Sequence, residues 1–252
     1  MHDLAAEERT LWEAITGLDS YILLFLLLVV DYLVVMLVSR GRWEGINRSV
    51  PVSLTALLAL HTSGARKGMV RLAFVVVGLS IIVGFSQLDV TDRRLVITDL
   101  ALITVLLGLS AVAIVRRILS HTDVTVETIF GAIDVYIVLG LFFGALFIFV
   151  SMLDRRPPFL AQPGFHPSSD YVYLSFVTLT TLGFGDLTPH TTVARSVVVL
   201  EALIGQIFLV TLVARLVSVY NNEAQRARVV LPRRRRRGGD GGEAPGPAGE
   251  SG

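Results

Sequence analysis

Between two long apolar stretches near its C-terminus, the chain reads Thr178-Leu179-Thr180-Thr181-Leu182-Gly183-Phe184-Gly185-Asp186. The chemistry open to this run belongs to its backbone. Glycine accepts backbone angles that other residues avoid, so glycines at alternate positions let successive carbonyl oxygens point the same way. Several copies around an axis would stack rings of oxygens able to replace the water shell of a potassium ion. At membrane depth such an irregular segment survives only where it is buried in protein or lines a water-filled path.

The neighbouring sequence supplies elements that could hold this run in place. Ser168, Ser169 and Asp170 are residues that favour a helix start. Tyr171 to Thr181 can then form a short helix of about 16 Å at 1.5 Å per residue, half a membrane. Its C-terminal end would point partial negative charge toward the membrane centre and favour a cation there. The chain would return through Leu182 to Asp186, with Pro189 ending the excursion and a full-length helix following.

The rest of the chain has the composition of a polytopic membrane protein: 53% of its 252 residues are hydrophobic and the mean hydropathy is +0.67. Cysteine is absent, which excludes disulfides, thiolate metal sites and a cysteine nucleophile. The first twenty residues carry Asp3, Glu7, Glu8 and Glu13 rather than a basic leader, so the apolar run Tyr21 to Val38 is expected as a membrane span. Five stretches, 21–38, 69–87, 97–115, 129–152 and 193–218, approach the ~20 residues needed to cross a bilayer. Trp43 to Thr62 is a weaker sixth, because its apolar part is short and Asn47, Arg48 and Pro51 occupy its first turns. It could span or lie in the interface.

Charge sets the expected topology. With alternating helices, Arg66, Lys67, Arg71, Arg116, Arg117, Arg215, Arg226 and Arg228 fall on one side, which the positive-inside rule makes cytoplasmic. Six spans place the N-terminus inside and five place it outside; Arg40, Arg42 and Arg48 favour five. The expected organisation is an N-terminal segment (1–20), a membrane helical bundle (21–120), a pore domain (121–220) and a disordered cytoplasmic tail (221–252). Residues 153–169 hold Pro157, Pro158, Pro163, Gly164 and Pro167 and read as a rigid external turret. There is no internal repeat, so one chain supplies one such segment.

The 178–186 run resembles the selectivity-filter signature of potassium channels, Thr-x-x-Thr-x-Gly-Tyr/Phe-Gly-Asp. Thr178, Thr181, Gly183, Phe184, Gly185 and Asp186 occupy its specified positions. The resemblance covers residues 125–220 well and the N-terminal half only by architecture. It implies an all-α membrane protein with six transmembrane helices (five if Trp43 to Thr62 stays in the interface), a re-entrant pore helix and a filter. It also implies a homotetramer in the plasma membrane, a cytoplasmic C-terminus, K+ as permeant ion, no cofactor and no enzymatic activity. In this likeness Thr181, Leu182, Gly183 and Phe184 coordinate K+ through backbone carbonyls, with the Thr181 hydroxyl at the inner end. Gly185 completes the outer mouth and Asp186 anchors the filter from behind. Thr178, Thr180 and Glu201 join Asp186 as supporting residues.

Some positions depart from the commoner pattern. Phe184 replaces tyrosine and loses its hydroxyl, Leu182 replaces valine, and Tyr171 and Tyr173 stand where many relatives carry tryptophan. By resemblance Gly205 would be a gating hinge; as a small residue in a membrane helix it could equally serve close helix packing. Glu201 lies one turn earlier on the same face, and an acid inside a membrane helix is a functional candidate by default. It could bond to the back of the filter or to Arg195.

Other features have plainer readings. A voltage sensor needs arginines at every third position through a membrane helix, and the 97–115 helix has none in its interior. Asp31, Asp99 and Asp134 are expected to be structural, paired with an arginine or a hydroxyl within the bundle. The run Arg233, Arg234, Arg235, Arg236, Arg237 could bind anionic lipid or be a solvated basic end; nucleic acid does not suit a short tail beneath a membrane. His166 and His190 flank the filter on its outer side without metal-ligand spacing. The rival functions are a nonselective cation channel and an intramembrane aspartyl protease. The latter is raised by Gly183-Phe184-Gly185-Asp186, with Asp134 or Asp31 as second acid. A multi-repeat transporter would need four such segments in one chain.

Overall fold

The computed structural model describes residues 21–38, 44–65, 67–87, 92–120, 126–153 and 158–230. The expected N-terminal segment 1–20, Arg40, Arg42 and the Arg233–Arg237 run lie outside the described residues. The elements are α1 (Tyr21–Leu37), α2 (Glu44–Thr62), α3 (Lys67–Ser86), α4 (Arg93–Ser120), α5 (Val126–Leu153), α6 (Ser168–Leu179) and α7 (Thr192–Val230). Among the described residues extended pairing is limited to one antiparallel bridge between Leu160 and Pro189. The protein is an all-α membrane protein. Four helices, α3, α4, α5 and α7, are long and apolar enough to cross a bilayer on their own, while the apolar parts of α1 and α2 are shorter.

The helices alternate in direction. Arg117 near the end of α4 donates to the Thr62 carbonyl at the end of α2, and its guanidinium lies 5.7 Å from the Tyr21 ring at the start of α1. A Cβ on Gly131, in the first turns of α5, would lie 3.2 Å from that same ring. The starts of α1 and α5 and the ends of α2 and α4 therefore meet at one end of the bundle. The six-span arrangement has this alternation, and Arg117 also satisfies a terminal helix carbonyl that would otherwise lack a partner.

Helix faces explain the packing. The buried stripe of α3 is Ala73, Val76, Val77, Ser80, Val83 and Gly84, at the three-to-four spacing of one helical face. Leu72, Phe74, Val75, Leu79, Ile82 and Phe85 are exposed on its other faces. Alanine, glycine, serine and valine face the bundle, while leucine, isoleucine and phenylalanine dominate the outward faces, as suits a lipid solvent. Asp99 of α4 is fully buried and accepts from Ser49 of α2 at 2.8 Å, Ser80 of α3 at 3.1 Å and Gln87 at 3.3 Å. It ties three helices together, the hydroxyl-paired structural role expected for it. Asp31 is also buried, within reach of Thr55. Asp134 is buried with neither carboxylate oxygen bonded among the described residues, so the expected partner is not found.

The N-terminal bundle is continuous with the C-terminal half. Leu24, Leu28, Val52, Ala59, Ile103, Leu107, Val135, Val138 and Val172 share one core. Tyr32 of α1 meets Phe176 of α6 edge-to-face, with centroids 5.0 Å apart. A second core carries an aromatic series, Phe143, Phe147, Phe159 and Tyr171, from α5 through the turret to α6. One boundary differs from expectation. Helix α7 continues unbroken to Val230, so 221–230 is helical where the disordered tail was expected to begin.

Candidate functional site: a re-entrant helix and its return segment

Helix α6 holds 12 residues, about 18 Å at 1.5 Å per residue, so it reaches only partway across a bilayer. It starts three residues earlier than expected. Pro167, in extended conformation, occupies the N-cap, and Ser168 is already helical. Asp170 sits in the first turn, where a carboxylate complements the positive end of the helix dipole. The helix ends at Leu179 rather than Thr181 because the chain turns there.

Two glycines of α5 form the seat of α6. A Cβ on Gly140 would lie 2.6–2.8 Å from the Phe176 ring, and one on Gly144 would lie 2.8 Å from Val172 Cγ2 and 3.0 Å from its Cα. Real Cβ atoms do not approach so closely, so these positions admit only glycine without a shift of the helices. Their four-residue spacing matches that of Val172 and Phe176, a small-residue groove receiving one helical face.

The end of α6 sets the conformation of the return segment. Thr181 N–H donates to the Thr178 carbonyl at 3.0 Å and Leu182 N–H to the Val177 carbonyl at 2.9 Å. This is the paired bonding of a Schellman helix end. Its left-handed position, usually glycine, is held by Thr181 at φ 61°, a strained angle for a residue with a Cβ. Gly183 at φ 52° and Gly185 at φ 79° follow, so positive φ recurs at every second residue. The Thr180 hydroxyl turns back to the Phe176 carbonyl at 2.6 Å. Leu182 and Phe184 are 60% and 67% exposed in the single chain. The Tyr173 phenol donates to Asp186 at 2.9 Å, tying the end of the return segment to the second turn of α6.

The remaining supports come from α5 and α7. The Tyr136 phenol donates to the Leu179 carbonyl at 2.8 Å, satisfying an acceptor at the end of α6. Gly205 lies beneath the same residue, where a Cβ would meet Leu179 Cδ1 at 2.6 Å. The structure thus gives Gly205 a packing contact, and α7 runs through it without interruption. Glu201 is fully buried and bonds neither to the return segment nor to Arg195. Ser175 of α6 lies 2.5 Å from its Oε1, and Arg195 donates to the Pro189 carbonyl at 3.3 Å.

The turret is clipped to the segment that follows Asp186. Ala161 N–H donates to the Thr188 carbonyl at 2.9 Å and His190 N–H to the Phe159 carbonyl at 2.8 Å. His166 lies 2.9 Å from both the Asp170 carboxylate and the Gln162 carbonyl. Burial alone would lower the His166 pKa; the bonds to Gln162 and Asp170 and the Asp170 charge outweigh it and raise the pKa above 6.5.

The structure therefore brings together Thr178, Thr180, Thr181 to Asp186, Glu201 and Gly205 along one short helix and its return segment. Sequence reasoning missed Tyr136, Gly140, Gly144 and Ser175. The glycine pair carried a readable signal, two small residues four apart in an apolar helix. Tyr136 and Ser175 carried none, since their partners are backbone or distant in sequence.

A half-length helix, an irregular return and a full-length helix behind them define a pore-loop membrane domain. Residues 132–222 match the family model described as Ion channel, and this part of the chain is an ion-channel domain, not an enzyme. Comparison with curated proteins and with solved structures gives no match. The aspartyl-protease alternative is overturned by that match, and the partner of Asp186 is the Tyr173 phenol rather than a second acid. The chain is a multi-pass membrane protein that carries this channel domain in its C-terminal half.

Proposed function

We propose that the protein is one subunit of a homotetrameric, potassium-selective channel in which Thr181 to Gly185 form the ion path. The alternation of positive φ at Thr181, Gly183 and Gly185 carries this reading. That alternation is the backbone pattern that lets successive carbonyls share one direction, and the half-helix before it aims its negative end at the same point. Thr181, Leu182, Gly183 and Phe184 would then hold K+ through their carbonyls. Thr178, Thr180, Asp186 and Glu201 support them from behind.

Two further features favour several copies around an axis. One chain carries a single return segment, and a ring of oxygens needs more than one. Helix α7 leaves Val199, Leu200, Leu203, Ile207, Val210 and Val213 exposed, an apolar surface suited to neighbouring subunits and lipid. With α7 ending at the Arg117 side, the positive-inside rule makes that side and the C-terminus cytoplasmic in the plasma membrane. The Arg233–Arg237 run would there meet anionic lipid headgroups.

The deciding experiment is ion flux into liposomes containing the purified full chain. Potassium uptake that exceeds sodium uptake and is blocked by barium is expected. Equal sodium and potassium flux would make the channel nonselective, and absence of flux would remove the pore reading.

A further inference from the structure

Ser175 has one hydroxyl hydrogen and two oxygen neighbours. Its Oγ lies 2.7 Å from the Gly140 carbonyl of α5 and 2.5 Å from Glu201 Oε1 of α7. A serine donates once and accepts through its lone pairs. If Glu201 were a carboxylate, one of these two contacts would place oxygen against oxygen with no proton between them. A contact of 2.5 Å fits a hydrogen bond in either charge state. The 2.7 Å contact to Gly140 is the one that decides. It requires the serine hydrogen, so the hydrogen between Ser175 and Glu201 must come from Glu201.

The surroundings agree with that count. Glu201 is fully buried and its Oε2 has no hydrogen-bond partner among the described residues. A bare oxygen is costly on a buried carboxylate and tolerable as the carbonyl oxygen of an acid. Around Glu201 stand Ser175 from α6 and, from α5, the Gly140 carbonyl that Ser175 also reaches and the Tyr136 phenol. Tyr136 commits its hydrogen to Leu179, and Arg195 on the outer turns of α7 is committed to Pro189.

We propose that Glu201 is carried as a neutral carboxylic acid whose Oε1–H donates to Ser175 Oγ, while Ser175 donates to the Gly140 carbonyl. This two-bond relay joins α7, α6 and α5 behind the return segment, at the glycine that also seats Phe176. Glu201 is then a positioning residue, acting on the ion path through α6. The flux consequences rest on the pore reading above; the proton itself does not.

The test uses the full chain in liposomes at neutral pH. An infrared difference spectrum between wild type and Glu201→Gln should show a protonated-carboxyl band lost in the variant, and Ser175→Ala should shift that band without removing it. Glu201→Gln, whose amide N–H can replace the acid O–H, should retain potassium flux and selectivity, whereas Glu201→Ala should lose much of both. A wild-type spectrum without a band sensitive to residue 201 overturns the proposal, whatever the flux. Flux in Glu201→Gln as poor as in Glu201→Ala, with the band present, overturns the positioning role. If no variant and no wild type conducts, the band still decides the protonation and only the pore reading fails.

Discussion

The Tyr173 phenol, in the second turn of α6, donates a 2.9 Å hydrogen bond to the carboxylate of Asp186 at the end of the return segment. The bond closes a loop of backbone that has no ladder of its own. Tyr173→Phe removes the donor and leaves the ring. Potassium flux in liposomes should become less selective and decay sooner under sustained gradients, with assembly unchanged on a sizing column. Unaltered selectivity and time course would show that Asp186 is held by other contacts.

Gly140→Ala places a methyl where the Phe176 ring already sits, 2.6–2.8 Å away. Overpacking of this kind costs about 1–3 kcal/mol, so thermal unfolding of the detergent-solubilised protein should come at lower temperature. Adding Phe176→Leu should recover part of the loss, because the two changes share one space.

Gly205→Ala separates packing from bending. The new methyl meets Leu179 Cδ1 at 2.6 Å, so a packing role predicts that the smaller Leu179→Val in the same chain restores flux. A hinge role predicts that Gly205→Ala stays impaired whatever residue 179 becomes. Flux measurements on the three variants distinguish the two.

Gly185 adopts φ 79°, an angle that strains a residue with a Cβ. A Cβ there would meet no other atom within 4 Å in the single chain, so Gly185→Ala acts on the backbone rather than on packing. On the channel reading proposed above, selective potassium flux should disappear while tetramer formation, read by crosslinking, remains. Retained selectivity would count against the carbonyl path.

His166 should make the loop before α6 pH-dependent. Its folded pKa is raised above 6.5, so its contribution to stability is fully present below that value and is lost as pH rises through the folded pKa. Thermal stability should therefore fall as pH rises above 6.5, and His166→Gln should flatten that part of the profile. A profile unchanged by the substitution would assign the effect elsewhere.

Much of the architecture was legible because membrane crossing imposes length and apolarity on local sequence. The stretch 69–87 emerged as α3 (Lys67–Ser86) and 129–152 as α5 (Val126–Leu153). The start of α6 was not legible. Ser168, Ser169 and Asp170 have good capping chemistry, yet Pro167, with φ fixed by its ring, took the cap. The expected tail boundary at 221 failed for a related reason, since polarity marks the edge of a membrane but does not end a helix.

The sequence by itself determined that Leu182 to Asp186 lies between a short helix and a long one, and that its glycines recur at alternate positions. That information is local, carried by residue type and spacing along the backbone. Only the tertiary structure decided what holds the segment. The left-handed angle at Thr181 follows from how α6 ends, and Tyr136, Ser175, Glu201 and Gly205 matter through partners on other helices. Such contacts depend on where separate helices meet, and residue type in one chain segment does not encode that meeting.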